Sequence, residues 1–278
     1  MRFSRMLLTE LGIPRLWDSD VEQGWRFMRF NVFPIFTHIL MPGSQGYGAA
    51  RVPVEGGAVL VSNHLSAMDA PLIGTFSRRA IWFMMKGELA DLPIVGEALM
   101  WTGGFPICRH ACSPEGIRNA RELVETGHIV GVFPEGTRQR CGYPSENFQG
   151  GAAAIALREK VPVVPCGVES FGWSLRNRRS CCVVYGEPMT FGALRATPRG
   201  YRAATELLRR EVLRLWRLAA EAVAAGFPAR LPDGTPRDRP TQVREFAPVL
   251  GNPPRVSGHA KHAAVGGSRP RADHTLTL

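Results

Sequence analysis

The chain has 278 residues, of which 45% are hydrophobic and 9% aromatic, so it is long enough to bury a sizeable core. This composition excludes a chain that is disordered throughout. The formal net charge of +10 predicts attraction to an anionic partner, such as nucleic acid, an acidic lipid surface or a phosphorylated substrate, and does not choose among them.

The N-terminus and the cysteines indicate the cellular compartment in which the protein resides. The first apolar run, Met6-Leu7-Leu8, is far shorter than the hydrophobic region of a signal peptide, so no export is predicted. The six cysteines show neither a paired C-x-x-C arrangement nor the spacing of a small secreted domain. We therefore expect reduced thiols in a cytosolic compartment and no metal site.

Residues 24–41 are rich in aromatic side chains and form part of an N-terminal segment, 1–50. A helix that spans a membrane needs about 20 mostly apolar residues. This stretch is shorter, and polar residues interrupt it, so we expect an amphipathic helix that docks at a membrane interface. The alternative is a helix packed on the protein's own core, because aromatic stripes at helical spacing usually belong to a core. The interrupting residues are Arg26, Arg29, Asn31, Pro34 and His38.

Residues 51–228 are predicted to form one α/β domain with a mixed, largely parallel sheet flanked by helices, because short β-rich runs alternate with helical segments. The expected strands are Ala58–Ser62, Ile81–Met85, Phe105–Cys108, His128–Phe133, Val161–Val168 and Cys181–Tyr185. The expected helices follow Pro71, span about 88–101, begin at Ser113-Pro114, follow Gly150-Gly151, and run from 198 to 225. Residues 229–278 are rich in Pro, Gly and Arg, with eight Lys or Arg against four acids, and are predicted to be a disordered basic tail.

The stretch from Val61 to Pro71 places His64 and Asp69 five positions apart, where a predicted strand ends and a helix begins. A carboxylate on one imidazole nitrogen fixes the tautomer, so that the other nitrogen can take a proton from a hydroxyl group. The pair is therefore a candidate general base with its orienting group. The alternative is structural: Asp69 would be a helix N-cap and His64 a satisfied residue at a strand end.

Two arginines follow other predicted strands. Phe133-Pro134-Glu135-Gly136-Thr137-Arg138 contains a glycine turn and then a guanidinium, and Arg109 follows Phe105–Cys108. The carboxyl ends of parallel strands converge on one crevice, and arginine binds phosphate with two parallel hydrogen bonds, so Arg109 and Arg138 are predicted to clamp a phosphate. Either arginine alone could instead be a surface or carboxylate-paired residue. Glu135 could orient an arginine or bond to a substrate hydroxyl.

Four ordered blocks carry a resemblance to a known family. They are Asn63-His64-Leu65-Ser66-Ala67-Met68-Asp69, Gly103-Gly104-Phe105-Pro106-Ile107-Cys108-Arg109, Val132-Phe133-Pro134-Glu135-Gly136-Thr137-Arg138 and Val161-Pro162-Val163-Val164-Pro165. Together they resemble the motifs of the glycerolipid acyltransferases, the PlsC-like 1-acylglycerol-3-phosphate acyltransferases. Coverage runs from about residue 51 to 190. Cys108 departs from the pattern, because many members carry Asp there.

The resemblance implies that an acyl group moves from acyl-CoA or acyl carrier protein to the free hydroxyl of 1-acylglycerol 3-phosphate, giving phosphatidate. His64 would deprotonate that hydroxyl and Asp69 would hold His64. Lys86, Arg109 and Arg138 would hold the phosphate, and Gly136 and Thr137 would shape the loop. Residues 24–41 would match the family's membrane-docking helices by character, which implies association with the cytoplasmic face of a membrane.

A thioester is already activated, so base-assisted attack needs neither a metal ion nor a covalent intermediate, and we expect no cofactor. The expected partners are a lysophospholipid, an acyl thioester and a membrane surface. Two alternatives keep the fold: the same chemistry on glycerol 3-phosphate or another lysophospholipid, and a lipid-binding protein without catalysis. A nucleic-acid binder is disfavoured, because part of the excess positive charge sits in the predicted tail and no aromatic-basic binding motif occurs.

Overall fold

One seven-stranded sheet organises the part of the chain that the computed structural model describes, which is residues 33–86, 96, 104–107 and 114–238. In spatial order its strands are β1, β7, β6, β2, β5, β3 and β4, and every neighbouring pair is parallel except β6 and β7. The predicted mixed, largely parallel sheet is confirmed. The strands are β1 Gln45–Tyr47, β2 Ala58–Ser62, β3 Ile81–Lys86, β4 Gly104–Ile107, β5 Ile129–Val132, β6 Val163–Glu169 and β7 Cys182–Tyr185.

Five α-helices flank this sheet in the described ranges, and a short 3-10 helix, Ala49–Arg51, follows β1. The longest begins where the sequence predicts, because the Thr197 side chain accepts a hydrogen bond from the Gly200 N–H and Pro198 occupies the first turn. It ends before Gly226, whose φ of 69° is the left-handed conformation that glycine adopts without strain. The helices are α1 Phe33–Leu40, α2 Asp69–Phe76, α3 Pro114–Glu125, α4 Gly151–Glu159 and α5 Pro198–Ala224.

Both faces of the sheet are buried. Val59 and Val61 of β2 point into a core shared with α3, α4 and α5. The intervening Ala58 and Leu60 point to the other face, where α2 packs. Since successive strand residues face opposite sides, a strand covered on both sides must be apolar throughout, which explains why Ala58–Ser62 shows no polar alternation.

The parallel strands fix where the loops meet. β3, β5, β2 and β6 are neighbours and run in the same direction, so they all end at one edge of the sheet, which we call the carboxyl edge. The chain leaves this edge after Ser62, after Val132 and after Glu169. Side chains from these three remote parts of the sequence can therefore meet there, as ligand sites in open α/β sheets do.

The domain boundaries differ from those predicted at 51 and 229. β1 pairs with β7 in a parallel ladder, and the Tyr47 side chain is fully buried. At the other end, Leu231 is buried and the Asp238 carboxylate accepts the Ala49 N–H at 3.1 Å. The prediction that residues 229–238 belong to a disordered tail is therefore wrong. Physically, β1 covers the edge of β7, and Arg237 and Asp238 in turn pair with Tyr47 and Gly46 of β1, so backbone groups at this edge find partners.

Only α1 represents the predicted docking segment in the described ranges. It is tied to the domain, because the Trp173 indole N–H donates to the Leu40 carbonyl at 2.8 Å. Thr37 is buried, whereas Ile39 is 52% exposed. The helix expected at about 88–101 and residues 239–278 of the predicted tail lie outside the described residues, apart from Gly96. In the ranges that the structure describes, no helix combines the length and the apolar character needed to cross a bilayer.

Candidate active site

His64 and Asp69 meet at the carboxyl edge, between β2 and α2. The His64 Nδ1 lies 2.8 Å from the Asp69 Oδ2, and the Asp69 side chain is fully buried while the imidazole is 18% exposed. Because a carboxylate accepts hydrogen bonds, Nδ1 carries the proton and Nε2 keeps a lone pair. The geometry thus provides a proton acceptor on a partly exposed ring, held by a buried anion.

The Asp69 carboxylate is held by four hydrogen bonds. Its Oδ2 accepts the backbone N–H groups of Leu65 at 2.7 Å and Ser66 at 2.9 Å in addition to His64, and its Oδ1 accepts the Ser170 hydroxyl. These donors compensate the burial of the charge. Asp69 is the first residue of α2, and its backbone donors precede the helix, so it does not act as the N-cap of the structural alternative.

The His64 ring is fixed by stacking. It lies against the Phe133 ring at a centroid distance of 4.1 Å with 16° between the planes, and Phe133 in turn stacks on Phe83 of β3 at 5.4 Å. Phe133 is the first residue after β5, so the strand beside β2 supplies this wall. With Nδ1 bound and one ring face covered, the imidazole keeps a single orientation, which is what a general base needs.

Glu135 holds the backbone of His64. Its Oε1 accepts the His64 N–H at 3.1 Å, and the Gln139 N–H donates to the His64 carbonyl at 2.8 Å, so the loop after β5 clamps both backbone groups of the histidine. Burial raises the pKa of the Glu135 carboxyl to about 7, and the His64 N–H partly offsets this. Its Oε2 is buried without a hydrogen-bond partner in the described part of the chain. This geometry supports a positioning role, which the sequence analysis did not consider.

The remaining predicted residues of this loop are Gly136, Thr137 and Arg138. Gly136 has a φ of 67°, and a Cβ there would lie 2.6 Å from the Gln149 Nε2, so the turn requires glycine. Thr137 and Arg138 are exposed, and Arg138 directly precedes the residue that contacts His64. No ion pair within the described ranges involves Arg138.

Two of the predicted phosphate ligands are not placed. Lys86 is the last residue of β3, where its backbone pairs with Ile107 of β4 at the carboxyl edge. Its side chain and the whole of Arg109 lie outside the described residues. The roles of Lys86 and Arg109 stay predictions, as do the chemical roles assigned to His64, Asp69 and Arg138.

The structure adds two residues for which the sequence analysis gave no role. The fully buried Asn63 side chain donates to the Val168 carbonyl and accepts the Val168 N–H, both at 2.8 Å, which locks the end of β2 to β6. Ser170, the first residue after β6, donates to Asp69. Ser170 could have been found from the sequence, because it follows a predicted strand whose end meets the same edge.

A family model matches this part of the chain. The model described as acyltransferase matches residues 45–169, which include the His64 and Asp69 pair and the loop from Phe133 to Arg138. The match begins at the first residue of β1 and ends at the last residue of β6. It therefore covers the strands that build the carboxyl edge together with the described candidate residues.

Curated relatives point in the same direction. A 1-acyl-sn-glycerol-3-phosphate acyltransferase of Bacillus subtilis is 29% identical over 181 residues, which are 63% of this chain and 89% of that protein. A chloroplastic 1-acyl-sn-glycerol-3-phosphate acyltransferase of Arabidopsis thaliana is 29% identical over 155 residues, which are 55% of this chain and 39% of that protein. The similarity thus spans most of the bacterial protein and well under half of the plant one.

A solved structure shares the fold. It is the 1-acyl-sn-glycerophosphate acyltransferase PlsC of Thermotoga maritima, with a TM-score of 0.56 and 24% identity over 72% of this chain and 78% of the other. At this identity the likeness concerns the fold alone. The family model and the curated relatives support an O-acyltransferase of the PlsC-like glycerolipid type, and the solved structure supports its fold.

Proposed function

We propose that the protein transfers a fatty acyl group from acyl-CoA or acyl carrier protein to the free hydroxyl of 1-acylglycerol 3-phosphate, giving phosphatidate. The observation that carries the proposal is the bond between His64 and Asp69 at the carboxyl edge, which leaves Nε2 as the proton acceptor. The printed names of the relatives from Bacillus subtilis and Arabidopsis thaliana support this acceptor.

The chemistry follows from the position of the two side chains. Nε2 of His64 accepts the proton of the acceptor hydroxyl while its oxygen bonds to the thioester carbonyl carbon. The tetrahedral intermediate then collapses, the carbon–sulfur bond breaks, and the proton on Nε2 passes to the leaving thiolate. Asp69 stabilises the positive charge that the imidazole carries between these two transfers. The residues supply a base and its counter-charge, and the reaction needs no covalent enzyme intermediate.

The acceptor's phosphate explains the basic residues at the same edge. Arg138 is exposed next to the loop that holds His64, and a guanidinium matches a phosphate with two parallel hydrogen bonds. Lys86 is the last residue of β3, and Arg109 comes two positions after the end of β4 in the sequence. In this proposal the three residues bind the phosphate and so place the acceptor hydroxyl at Nε2.

Both substrates carry long acyl chains, so the proposal includes a membrane surface. The N-terminal residues before β1 would dock there, with the amphipathic stretch 24–41 lying in the interface and the domain on the cytoplasmic face. The exposed Ile39 of α1 supports this assignment, because an apolar side chain on a helix tied to the domain is ready to enter lipid.

The test is a coupled assay of both products. Purified protein is given acyl-CoA and 1-acylglycerol 3-phosphate, and free thiol and phosphatidate are measured together by thiol titration and mass spectrometry. We expect equal amounts of both, and no thiol release without the acceptor. Lipid binding without any consumption of thioester would favour the non-catalytic alternative. Faster turnover of glycerol 3-phosphate or of a lysophospholipid with a larger headgroup would favour one of these as the acceptor. A parallel series of assays uses acyl carrier protein in place of acyl-CoA as the acyl donor.

A further inference from the structure

The connection between β6 and β7, residues 170–181, extends from the carboxyl edge beside His64. β6 and β7 are antiparallel neighbours, so the connection is a hairpin, and β6 ends at that edge. Ser174 and Asn177 exchange two backbone hydrogen bonds of 3.1 Å, which leaves Leu175 and Arg176 at the tip. The 170–181 hairpin therefore has a defined conformation.

The surface of the 170–181 hairpin is both apolar and cationic. Leu175 is 68% exposed and Phe171 is 40% exposed. Arg176 and Arg178 are exposed as well, and no described ion pair involves either of them. No Asp or Glu occurs between residues 170 and 181. An exposed leucine beside exposed guanidinium groups has the composition of an element that enters an anionic lipid surface.

Two contacts fix the 170–181 hairpin relative to the active site. Ser170, at its base, donates to the buried Asp69 carboxylate. Trp173 donates to the Leu40 carbonyl of α1, whose Ile39 is exposed. A surface that receives the hairpin tip would therefore lie at a fixed distance from His64 and next to α1.

We infer that the 170–181 hairpin is a second membrane-docking element, which inserts Leu175 among the lipids and places Arg176 and Arg178 against anionic headgroups. The inference rests on the proposed function only in that the lysophospholipid acceptor is taken from a membrane. The favoured occupant is an anionic bilayer, because an apolar side chain at the hairpin tip needs an apolar phase to enter. Docking through two elements, α1 and the hairpin, sets the orientation of the carboxyl edge toward the lipid.

The test compares two triple variants that lose the same charge. The docking variant carries Leu175→Ser, Arg176→Ser and Arg178→Ser. The control carries Val54→Ser, Arg199→Ser and Arg202→Ser, which are exposed residues near the opposite edge of the sheet, where β2 begins and where α5 begins. Binding is measured by flotation of the full chain with vesicles of phosphatidylcholine alone or mixed equally with phosphatidylglycerol.

We expect the docking variant to bind the anionic vesicles at least about tenfold more weakly than both the wild type and the control, since each arginine at an anionic surface contributes about fivefold. Added salt should reduce the difference, because it screens the arginine contribution. Equal binding by the two variants would overturn the inference. Failure of the wild-type protein to bind the anionic vesicles would overturn it as well.

Turnover separates this inference from the proposed function. With a short-chain acceptor in free solution, the docking variant should turn over like the wild type, because its contacts to Asp69 are unchanged. With the acceptor in vesicles its kcat/KM should fall. A loss confined to acyl carrier protein as donor, with vesicle binding intact, would assign the arginines to an acidic protein and overturn the lipid assignment. Absence of any turnover would refute the proposed function and leave the flotation result to decide the docking.

Discussion

Replacement of Asp69 by Asn separates the charge of this residue from its shape. An asparagine carbonyl at the position of Oδ2 can still accept the N–H groups of Leu65 and Ser66, and the Ser170 hydroxyl can turn to accept from the new amide. The fold and the orientation of His64 should therefore persist. What disappears is the anion 2.8 Å from the His64 Nδ1.

The loss in rate follows from the interaction between the imidazolium and the carboxylate. Two unit charges about 4 Å apart interact by about 4 kcal/mol at an effective dielectric constant of about 20. Each 1.36 kcal/mol changes a rate by about tenfold, so kcat should fall by about a thousandfold. The stabilisation acts on the charged state formed during transfer, so the KM values of both substrates should change little.

The assay is steady-state thiol release with acyl-CoA and 1-acylglycerol 3-phosphate, together with the thermal unfolding midpoint. Asp238→Asn is a matched control, because that carboxylate also accepts a backbone N–H but belongs to the β1 end of the sheet. Asp69→Ala is less informative, since it would leave several buried donors unpaired at about 1–3 kcal/mol each. A variant Asp69→Asn with wild-type kcat would refute the reasoning and make Asp69 a structural residue.

Three further predictions concern the loop after β5. Burial raises the pKa of the Glu135 carboxyl from 4.5 to about 7. The native state therefore binds the carboxyl proton more tightly than the unfolded state does. As pH rises from 4.5 to 7, the wild-type protein loses stability because of this group. The free energy of unfolding of Glu135→Gln minus that of the wild type should therefore rise by on the order of 3 kcal/mol between about pH 4.5 and 7. Urea unfolding measures both values, and a difference that stays constant with pH would contradict this prediction. Arg138→Ala should raise KM about tenfold or more for acceptors with a phosphate, whereas the exposed neighbour Arg140→Ala should not; equal losses for acceptors without phosphate would argue against the clamp. Gly136→Ala should lower the unfolding midpoint by several degrees, because φ is 67° at this position and a residue with a Cβ is strained there; an unchanged midpoint would show that the turn relaxes freely.

The central strands could be predicted because their sequences meet both requirements of a buried parallel sheet. Ala58–Ser62 has the bounds that the sequence predicts, and the strand predicted at His128–Phe133 contains β5, Ile129–Val132. Both runs are short, apolar and flanked by turn residues. The convergence of His64 with Glu135 and the Arg138 loop then follows from strand direction alone, since loops after neighbouring parallel strands share one edge.

The edge of the sheet could not be predicted. β1 consists of Gln45-Gly46-Tyr47, which has no apolar alternation and contains a glycine, so only its pairing with β7 makes it a strand. The presence of Pro232, Pro236 and Gly234 predicts a disordered tail over residues 229–238, yet Leu231 is buried against the domain. In both cases tertiary contacts decide the structure, and they leave no local periodicity.

The role of Glu135 was also hidden, for a different reason. Its partner is the backbone N–H of His64, 71 positions away, and a backbone group has no signature in the sequence. Its position in the sequence suggests only an arginine or a substrate hydroxyl as the partner of this acid. Asn63 illustrates the same limit, because both of its hydrogen bonds go to the backbone of Val168.

The central claim is that Nε2 of His64 accepts the proton of the acceptor hydroxyl. The most direct test is kcat for thiol release by His64→Ala with acyl-CoA and 1-acylglycerol 3-phosphate, with the unfolding midpoint and vesicle binding checked for both proteins. We predict a fall in kcat of about a hundred- to ten-thousandfold with vesicle binding unchanged. Turnover at the wild-type rate in a folded variant would contradict the claim and require another base.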